Sequence, residues 1–274
     1  MVTFPNCKIN LGLRILNKRN DGFHNIETIF YPIPLKESLE IIETENEFQF
    51  STSGIPLPEQ SENNLCINAF NLLKKDFSNL PAVKIHLHKN IPIGAGLGGG
   101  SADAAFTLTL LNQKFNLQLT ADKLKYYAAQ IGSDCSFFID NSPCFATGKG
   151  EILEKLNLDF SGYKILLIHP GIHVATSVAY SIVQSVVPKI SVKTIIQQPI
   201  ETWKDNLIND FENPIFKLYP ELKEIKENLY NAGAVYASMS GSGSAVFGFF
   251  AKDQSINIST PENYIKKELL LSLI

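Results

Sequence analysis

The sequence predicts an α+β protein built in two lobes, and three observations carry that expectation. The first 50 residues alternate in the manner of strands, the period turns helical from Asn63, and strands and helices then mix through the second half. In Ile9-Asn10-Leu11-Gly12-Leu13-Arg14-Ile15 apolar residues alternate with small or polar ones, so one face of an extended chain can be buried. Glu40–Ile42 and Phe48–Phe50 are further extended runs, and Asp21-Gly22 is a turn signal.

From Asn63 onward Leu65, Ala69, Leu72 and Leu73 share one helical face, which ends near Asp76. Val83–His88 returns to strand alternation. His86 and His88 share one face of it, but no third metal ligand lies near them in sequence, so a solvated strand face is expected. A glycine-rich segment, Ile91 to Ser101, follows directly. Ser101 is the expected N-cap of a helix over Ala102–Leu111, which is rich in Ala and Leu and has no breaker. Thr120 caps a second helix with Leu124, Tyr127, Ala128 and Ile131 on one face and Gly132 just past its end. Strands are expected around Pro143–Thr147, Glu151–Leu156 and Tyr163–His169. Asp159–Gly162 marks the boundary between a lobe of residues 1–160 and a lobe of residues 161–274. Helical stretches around Ala175–Val186, Glu201–Asn206 and Pro214–Leu218 precede Pro220–Leu229, where proline takes the first helical position. Ala234–Ser238 and Ser244–Ala251 read as strands flanking Met239-Ser240-Gly241-Ser242-Gly243, and the tail from Lys266 to Leu271 is helical in pattern.

With 274 residues, 45% of them apolar and 19% charged, the chain has the means to bury a sizeable core, which argues against disorder. Twenty-four basic against 27 acidic residues give a net charge of −3, so no global positive field draws it to nucleic acid or an anionic membrane. No apolar stretch approaches the roughly 18 residues of a membrane helix. The N-terminus shows no secretory signal, and the cytoplasm is the expected location. Cys7, Cys66, Cys135 and Cys144 form no C-x-x-C pair and read as reduced thiols. Cys135 adjoins Asp134, a neighbour that suits a nucleophile, but a small buried hydrophobe is the expected role.

Any phosphate chemistry must therefore be local, and the segment Gly94–Gly100 offers it, with five glycines in seven residues between a strand and a helix. Glycine permits left-handed angles and close approach to an anion, while the first turn of the helix leaves N–H groups unpaired. A Walker A loop is excluded, because no lysine lies between Lys89 and Lys114. Gly94-x-Gly96-x-x-Gly99 satisfies the dinucleotide pattern. That pattern requires a strand after the helix, and a second capped helix, with Asp122 in its first turn, stands there instead.

Three separated blocks resemble the GHMP kinase superfamily, which includes galactokinase and the homoserine, mevalonate and phosphomevalonate kinases. They are Cys7-Lys8-Ile9-Asn10-Leu11, Pro92 through Ser101, and Ser240-Gly241-Ser242-Gly243-Ser244. Within it, Lys8–Leu11 followed by Arg19-Asn20-Asp21-Gly22-Phe23-His24 is similar to the branch that phosphorylates a cytidyl-linked methylerythritol for isoprenoid precursor synthesis. The likeness continues through Gly132–Phe138 and Pro170-Gly171-Ile172, in the right order over nearly the whole chain.

The resemblance implies a two-lobed GHMP kinase fold: a mixed-sheet N-terminal lobe with the glycine loop and its helix, and a ferredoxin-like α/β C-terminal lobe. It implies ATP as co-substrate, with Mg²⁺ arriving on it rather than in a protein metal site, and a small-molecule cytidyl acceptor; nucleic acid and membrane are not expected partners. The nucleotide would be held by Pro92, Ile93, Gly94, Ala95, Gly96, Leu97, Gly98, Gly99, Gly100, Ser101 and Ala102, with Asn64 near the base. Ser101 is available to phosphate or to the magnesium shell, whereas Ala102 stands where many relatives have a second serine. By the same likeness Asp134 is the general base and Lys8 the cation that holds and acidifies the acceptor hydroxyl. Taken alone, an aspartate past a helix end more often closes a turn, and a strand lysine is more often a surface charge. Phe23-His24 matches a Tyr/Phe-His pair that stacks on and hydrogen-bonds cytosine; Asn10 and Thr176 are implied acceptor contacts. Other readings are a homoserine or mevalonate type of kinase, a nicotinamide-dependent oxidoreductase, and a non-catalytic nucleotide-binding module.

Overall fold

The structure, a computed structural model, describes residues 1–57 and 64–272. In chain order these form β1 (Val2–Thr3), β2 (Asn6–Lys18), β3 (His24–Lys36), β4 (Ser38–Glu43), β5 (Gln49–Gly54), α1 (Leu65–Asp76), β6 (Val83–Lys89), α2 (Gly99–Lys114), α3 (Ala121–Ile131) and α4 (Phe137–Asp140). The second half adds β7 (Cys144–Thr147), β8 (Ile152–Lys155), β9 (Tyr163–His169), α5 (Thr176–Ile182), α6 (Val192–Ile195), α7 (Glu212–Leu218), α8 (Pro220–Asn231), β10 (Tyr236–Met239), β11 (Val246–Ala251) and β12 (Ile265–Leu270). Two compact units emerge, each assembled from separated stretches. The first is Met1–Cys7, Leu35–Ile93 and Gly98–Asn141; the second is Lys8–Pro34, Gly94–Leu97 and Ser142–Ile274.

In the first unit the strands lie in the order β1-β4-β6-β5, with β5 parallel to β6 and the other pairs antiparallel. Leu39, Ile41, Val83, Ile85 and Leu87 give this mixed sheet an apolar face. Ala69 and Leu73 of α1, Ala104, Leu108 and Leu111 of α2, and Leu124 and Ala128 of α3 cover it. Helix α2 is buried on more than one face, from Ala102 through Leu111, because Ala and Thr keep it slim enough for neighbours on several sides. On the opposite sheet face His86 hydrogen-bonds Ser51 and Ser53, and His88 hydrogen-bonds Ser53. Beneath the glycine segment Lys89 bridges Glu37 and Asp103 at 2.7 and 2.8 Å, all three buried. Burial pushes the Asp103 carboxyl well above the usual carboxylate range.

The second unit contains two four-stranded sheets, ordered β2-β3-β7-β8 and β10-β11-β9-β12. The latter is antiparallel throughout and has the ferredoxin-like strand order; its first crossover carries α5 to α8, and its second, residues 252–264, carries no helix. Strands β9 and β11 are buried on both faces. Leu166, Ile168, Val246 and Phe250 pack with Leu222, Ile225 and Leu229 of α8. Phe249 meets Phe160, Trp203 and Tyr236, with Trp203 and Tyr236 edge-on at 5.6 Å.

Several expectations are corrected. Ser101 is not the N-cap of α2: the helix starts two residues earlier, and Gly98, at φ +70°, is the cap without any side-chain hydrogen bond. Glycine takes a left-handed angle without the steric cost that a Cβ brings, so the glycine run lets the helix begin inside it. The tail is strand β12, not a helix, because the β9 edge offers unpaired backbone groups from His169 to Lys164 that an extended segment satisfies. The helix expected over Glu201–Asn206 is a single 3-10 turn at Ile200–Thr202, and α4 and α6, four residues each, had no periodic signal. Asn64 caps α1, accepting from Cys66 N at 2.9 Å, while Asn63 lies outside the described residues. Thr120 caps α3 as expected.

Replacing the fully buried Leu108 by Ala leaves a void between α2 and the sheet, and urea unfolding should show a loss of about 2–5 kcal/mol.

Candidate active site

In the second unit the main-chain carbonyl of Gly96 is a meeting point. It accepts from Lys8 Nζ at 3.2 Å and from Ser240 Oγ at 2.9 Å, so residues of all three motif blocks touch one oxygen. Lys8 N also donates to Leu97 O, and Ala245 N to Ala95 O, both at 3.0 Å, which lays the glycine segment between β2 and the Ser240–Ser244 turn. Gly96 is at φ +76°, and a Cβ there would lie 2.0 Å from the Ser240 carbonyl, so the close approach requires glycine.

Lys8 is buried on β2, and its ammonium donates to Asn10 Oδ1 at 2.6 Å and lies 4.9 Å from the Phe30 ring centroid. The Asn10 amide donates in turn to Thr28 Oγ1 at 2.9 Å, and Thr28 donates to Gly12 O. The Asn10 side chain is thus hydrogen-bonded at both ends, to Lys8 through its oxygen and to Thr28 through its amide. Thr176 opens α5 with its hydroxyl 3.3 Å from Ser242 Oγ, beside the same turn.

Phe23 is 57% exposed, with Lys149 Nζ 4.6 Å from its ring centroid. His24 stacks on Tyr180 with centroids 5.1 Å apart, and Tyr180 meets Phe211 edge-on. Partial burial, aided by the charge of Lys18, lowers the His24 pKa, so the imidazole is neutral at pH 7 and offers one donor and one acceptor.

In the first unit, α2 begins at the end of the glycine segment, and its first turn contains Gly99, Gly100 and Ser101 with no side-chain cap. The N–H groups there have no partner within the helix and lie at the positive end of its dipole, an arrangement whose chemistry suits an anion. Asn64 stands at the start of α1, where a Cβ on Gly100 would lie 3.6 Å from Leu65 Cδ1. Asp134 is in the turn that links α3 to α4, closed by Cys135 N donating to Gly132 O at 3.1 Å. The Cys135 thiol is fully buried and hydrogen-bonds Ser101. Burial first, with the Asp134 charge behind it, pushes its pKa up to about 12, against that hydrogen bond, so it is no nucleophile. All four cysteines are buried and outside any disulfide.

Sequence reasoning passed over Asn209, whose amide donates to Met239 O and Gly241 O at 2.8 Å each, and Glu212, which accepts from Met239 N at 2.9 Å. Together they pin the Ser240–Ser244 turn. Tyr180, Lys149 and His173 were also missed; a Cβ on Gly94 would lie 2.2 Å from His173 Nδ1, so that ring rests on the glycine segment. Each is a long-range contact without a local pattern.

Residues 64–149 match the GHMP kinases N terminal domain and residues 193–259 the GHMP kinases C terminal domain, so both halves carry the GHMP kinase fold. The chain is 54% identical over 253 residues to the 4-diphosphocytidyl-2-C-methyl-D-erythritol kinase of Azobacteroides pseudotrichonymphae, covering 92% of this chain and 94% of that one. It is 51% identical over 259 residues to the Bacteroides fragilis enzyme of the same name, covering 93% and 94%. The crystal structure of a 4-(cytidine 5'-diphospho)-2C-methyl-D-erythritol kinase superimposes with a TM-score of 0.79 at 32% identity, over 90% of this chain and 89% of that one. The chain belongs to the GHMP kinase family and, within it, to the 4-diphosphocytidyl-2-C-methyl-D-erythritol kinases. It is a phosphotransferase that uses ATP on a small molecule. The oxidoreductase alternative falls with the fold, since α3 and not a parallel strand follows α2.

Gly96→Ala should cost about 1–3 kcal/mol of stability from left-handed strain and collision, and it should weaken nucleotide binding in calorimetry.

Proposed function

We propose that the chain transfers the γ-phosphoryl group of ATP to the 2-hydroxyl of 4-diphosphocytidyl-2-C-methyl-D-erythritol, in the non-mevalonate route to isoprenoid precursors. The observation that supports this best is the Gly96 junction of the second unit, where residues of all three motif blocks, the buried ammonium of Lys8 among them, meet one main-chain oxygen. Lobes of residues 1–160 and 161–274 are the functional division, and the cytoplasm is the proposed location.

Phosphoryl transfer demands mostly positioning and charge stabilisation. The backbone N–H groups from Gly94 to Ser101, with the α2 dipole, hold the phosphates; Ala102 closes that first helical turn by donating to Gly98 O, Pro92 and Ile93 lead into the curve, and Asn64 lies on the adenine side. Lys8 holds the acceptor oxygen and favours its alkoxide form, with Asn10 keeping the ammonium in place. Asp134 takes the proton from the hydroxyl, a contribution on the order of 10²–10⁴ in rate. A Mg²⁺ ion would arrive on the phosphates, with the Ser101 hydroxyl at its shell. When bound, that ion neutralises charge on the transferred group. At the other end of the acceptor, neutral His24 reads the donor and acceptor edge of cytosine, Phe23 and Tyr180 supply ring faces, and Thr176 contacts the acceptor. Phe23 keeps the stacking surface of a tyrosine without its hydroxyl.

Purified protein with ATP, Mg²⁺ and the cytidyl substrate should release ADP, whereas turnover with homoserine or mevalonate in its place would defeat the assignment. Asp134→Asn should lower kcat by about 10²–10⁴ while ADP still binds in calorimetry. His24→Ala should raise KM for the cytidyl substrate about 5–150-fold, the equivalent of about 1–3 kcal/mol, and leave KM for ATP unchanged. Because the His24 pKa is lowered, KM for that substrate should stay flat through the ordinary histidine range and rise only at more acidic pH.

A further inference from the structure

The buried trio Glu37–Lys89–Asp103 takes no part in the chemistry above, yet it brackets the glycine segment in sequence. Lys89 is the last residue of β6, two positions before Ile91, and Asp103 lies on α2, two positions after Ser101. Lys89 Nζ donates to Glu37 at 2.7 Å and to Asp103 Oδ2 at 2.8 Å. Glu37 Oε1 also accepts from Ile91 N at 3.1 Å, and Glu37 N donates to Pro5 O at 2.8 Å, so its own backbone is tied down. A Cβ on Gly99 would lie 3.1 Å from the Ile91 side chain and 3.7 Å from Lys89 Nζ, which puts the ammonium directly under the first residue of α2.

A trio of this kind is a poor way to gain stability, since apolar residues of like volume fill such a space at equal or lower cost. It does impose geometry. The distance from the end of β6 to the start of α2 is set by the two short bonds of the Lys89 ammonium, and the Ile91 N–H bond to Glu37 holds the chain just past β6. We infer that Glu37, Lys89 and Asp103 are positioning residues for the nucleotide: they clamp the two ends of the glycine segment so that the uncapped first turn of α2 meets the phosphates in register. The inference rests on that segment being the phosphate site. Loosening the clamp lets the strand end and the helix start drift apart, so the loss falls on nucleotide binding and not on the acceptor.

The test measures ADP affinity by calorimetry, KM for ATP and for the cytidyl substrate, kcat, and thermal stability. Asp103→Ala, and independently Lys89→Met, which keeps a long chain but removes the donors, should raise the ADP Kd and KM for ATP about 10–100-fold, with KM for the acceptor within about twofold. Asp103→Asn keeps the shape and an acceptor for Lys89, and it should restore most of the nucleotide affinity that Asp103→Ala loses. If Asp103→Ala does not fold, Lys89→Met against Asp103→Asn carries the comparison. Folded variants with unchanged ADP affinity would overturn the inference. So would variants in which both KM values move together with thermal stability, because that is the mark of a merely structural role. Wild-type protein that binds no ADP would instead remove the phosphate reading of the loop, a separate failure.

Discussion

One carbonyl oxygen organises much of the second unit. Gly96 O accepts from the Lys8 ammonium and from the Ser240 hydroxyl, and the Ser240 hydroxyl also receives Asn10 N at 3.3 Å. Residues 88 and 144 positions apart from Gly96 therefore depend on a peptide group that only glycine can present, because any side chain there collides with Ser240. The supports extend outward from this point: Thr28 on β3 fixes Asn10, and Asn209 and Glu212 fix the Ser240–Ser244 turn, which joins β10 and β11 of the ferredoxin-like sheet. A buried cation is stable only if it is saturated with acceptors, and each of those acceptors is itself held by another hydrogen bond.

The same economy applies to charge. With 24 basic and 27 acidic residues, the chain has no surplus of cations for two highly anionic ligands, and it uses few near the site. Positive potential comes from the main chain instead. Helix α2 starts on a left-handed glycine with no side-chain cap, so its first N–H groups are not consumed internally. An N-cap serine would have stabilised the helix by roughly 1 kcal/mol while occupying one of those donors. Helix stability is given up at this terminus, and its first N–H groups stay open to an outside acceptor.

Sequence patterns revealed what local chemistry controls. The strand–glycine–helix order, the cap at Thr120 and the strand β9 were legible because each follows from neighbouring residues. The start of α2 was misplaced because a serine after glycines looks like a cap, whereas the glycine run itself can enter the helix. Tail residues Lys266–Leu271 have helical spacing, and only the partner strand β9 decides against it. Lys8 and Asp134 took meaning from family likeness, and the structure then displayed what spacing could not, the pairing of Lys8 with a backbone oxygen 88 positions away. Tyr180 and Asn209 were invisible for the same reason, since their partners are set by tertiary contact.

Strand β12 has a consequence for solubility. Without it, β9 would expose a row of unsatisfied backbone groups beside Ile165, Leu167 and Leu166, a template on which another chain could grow a cross-molecular sheet. The tail covers that template and becomes the margin itself, and its residues Lys266, Lys267 and Glu268 bring charge to it, Lys164 pairing with Glu268 at 2.7 Å. A short, charged border strand is a barrier to association, so the last strand of the chain acts as a built-in guard against polymerisation.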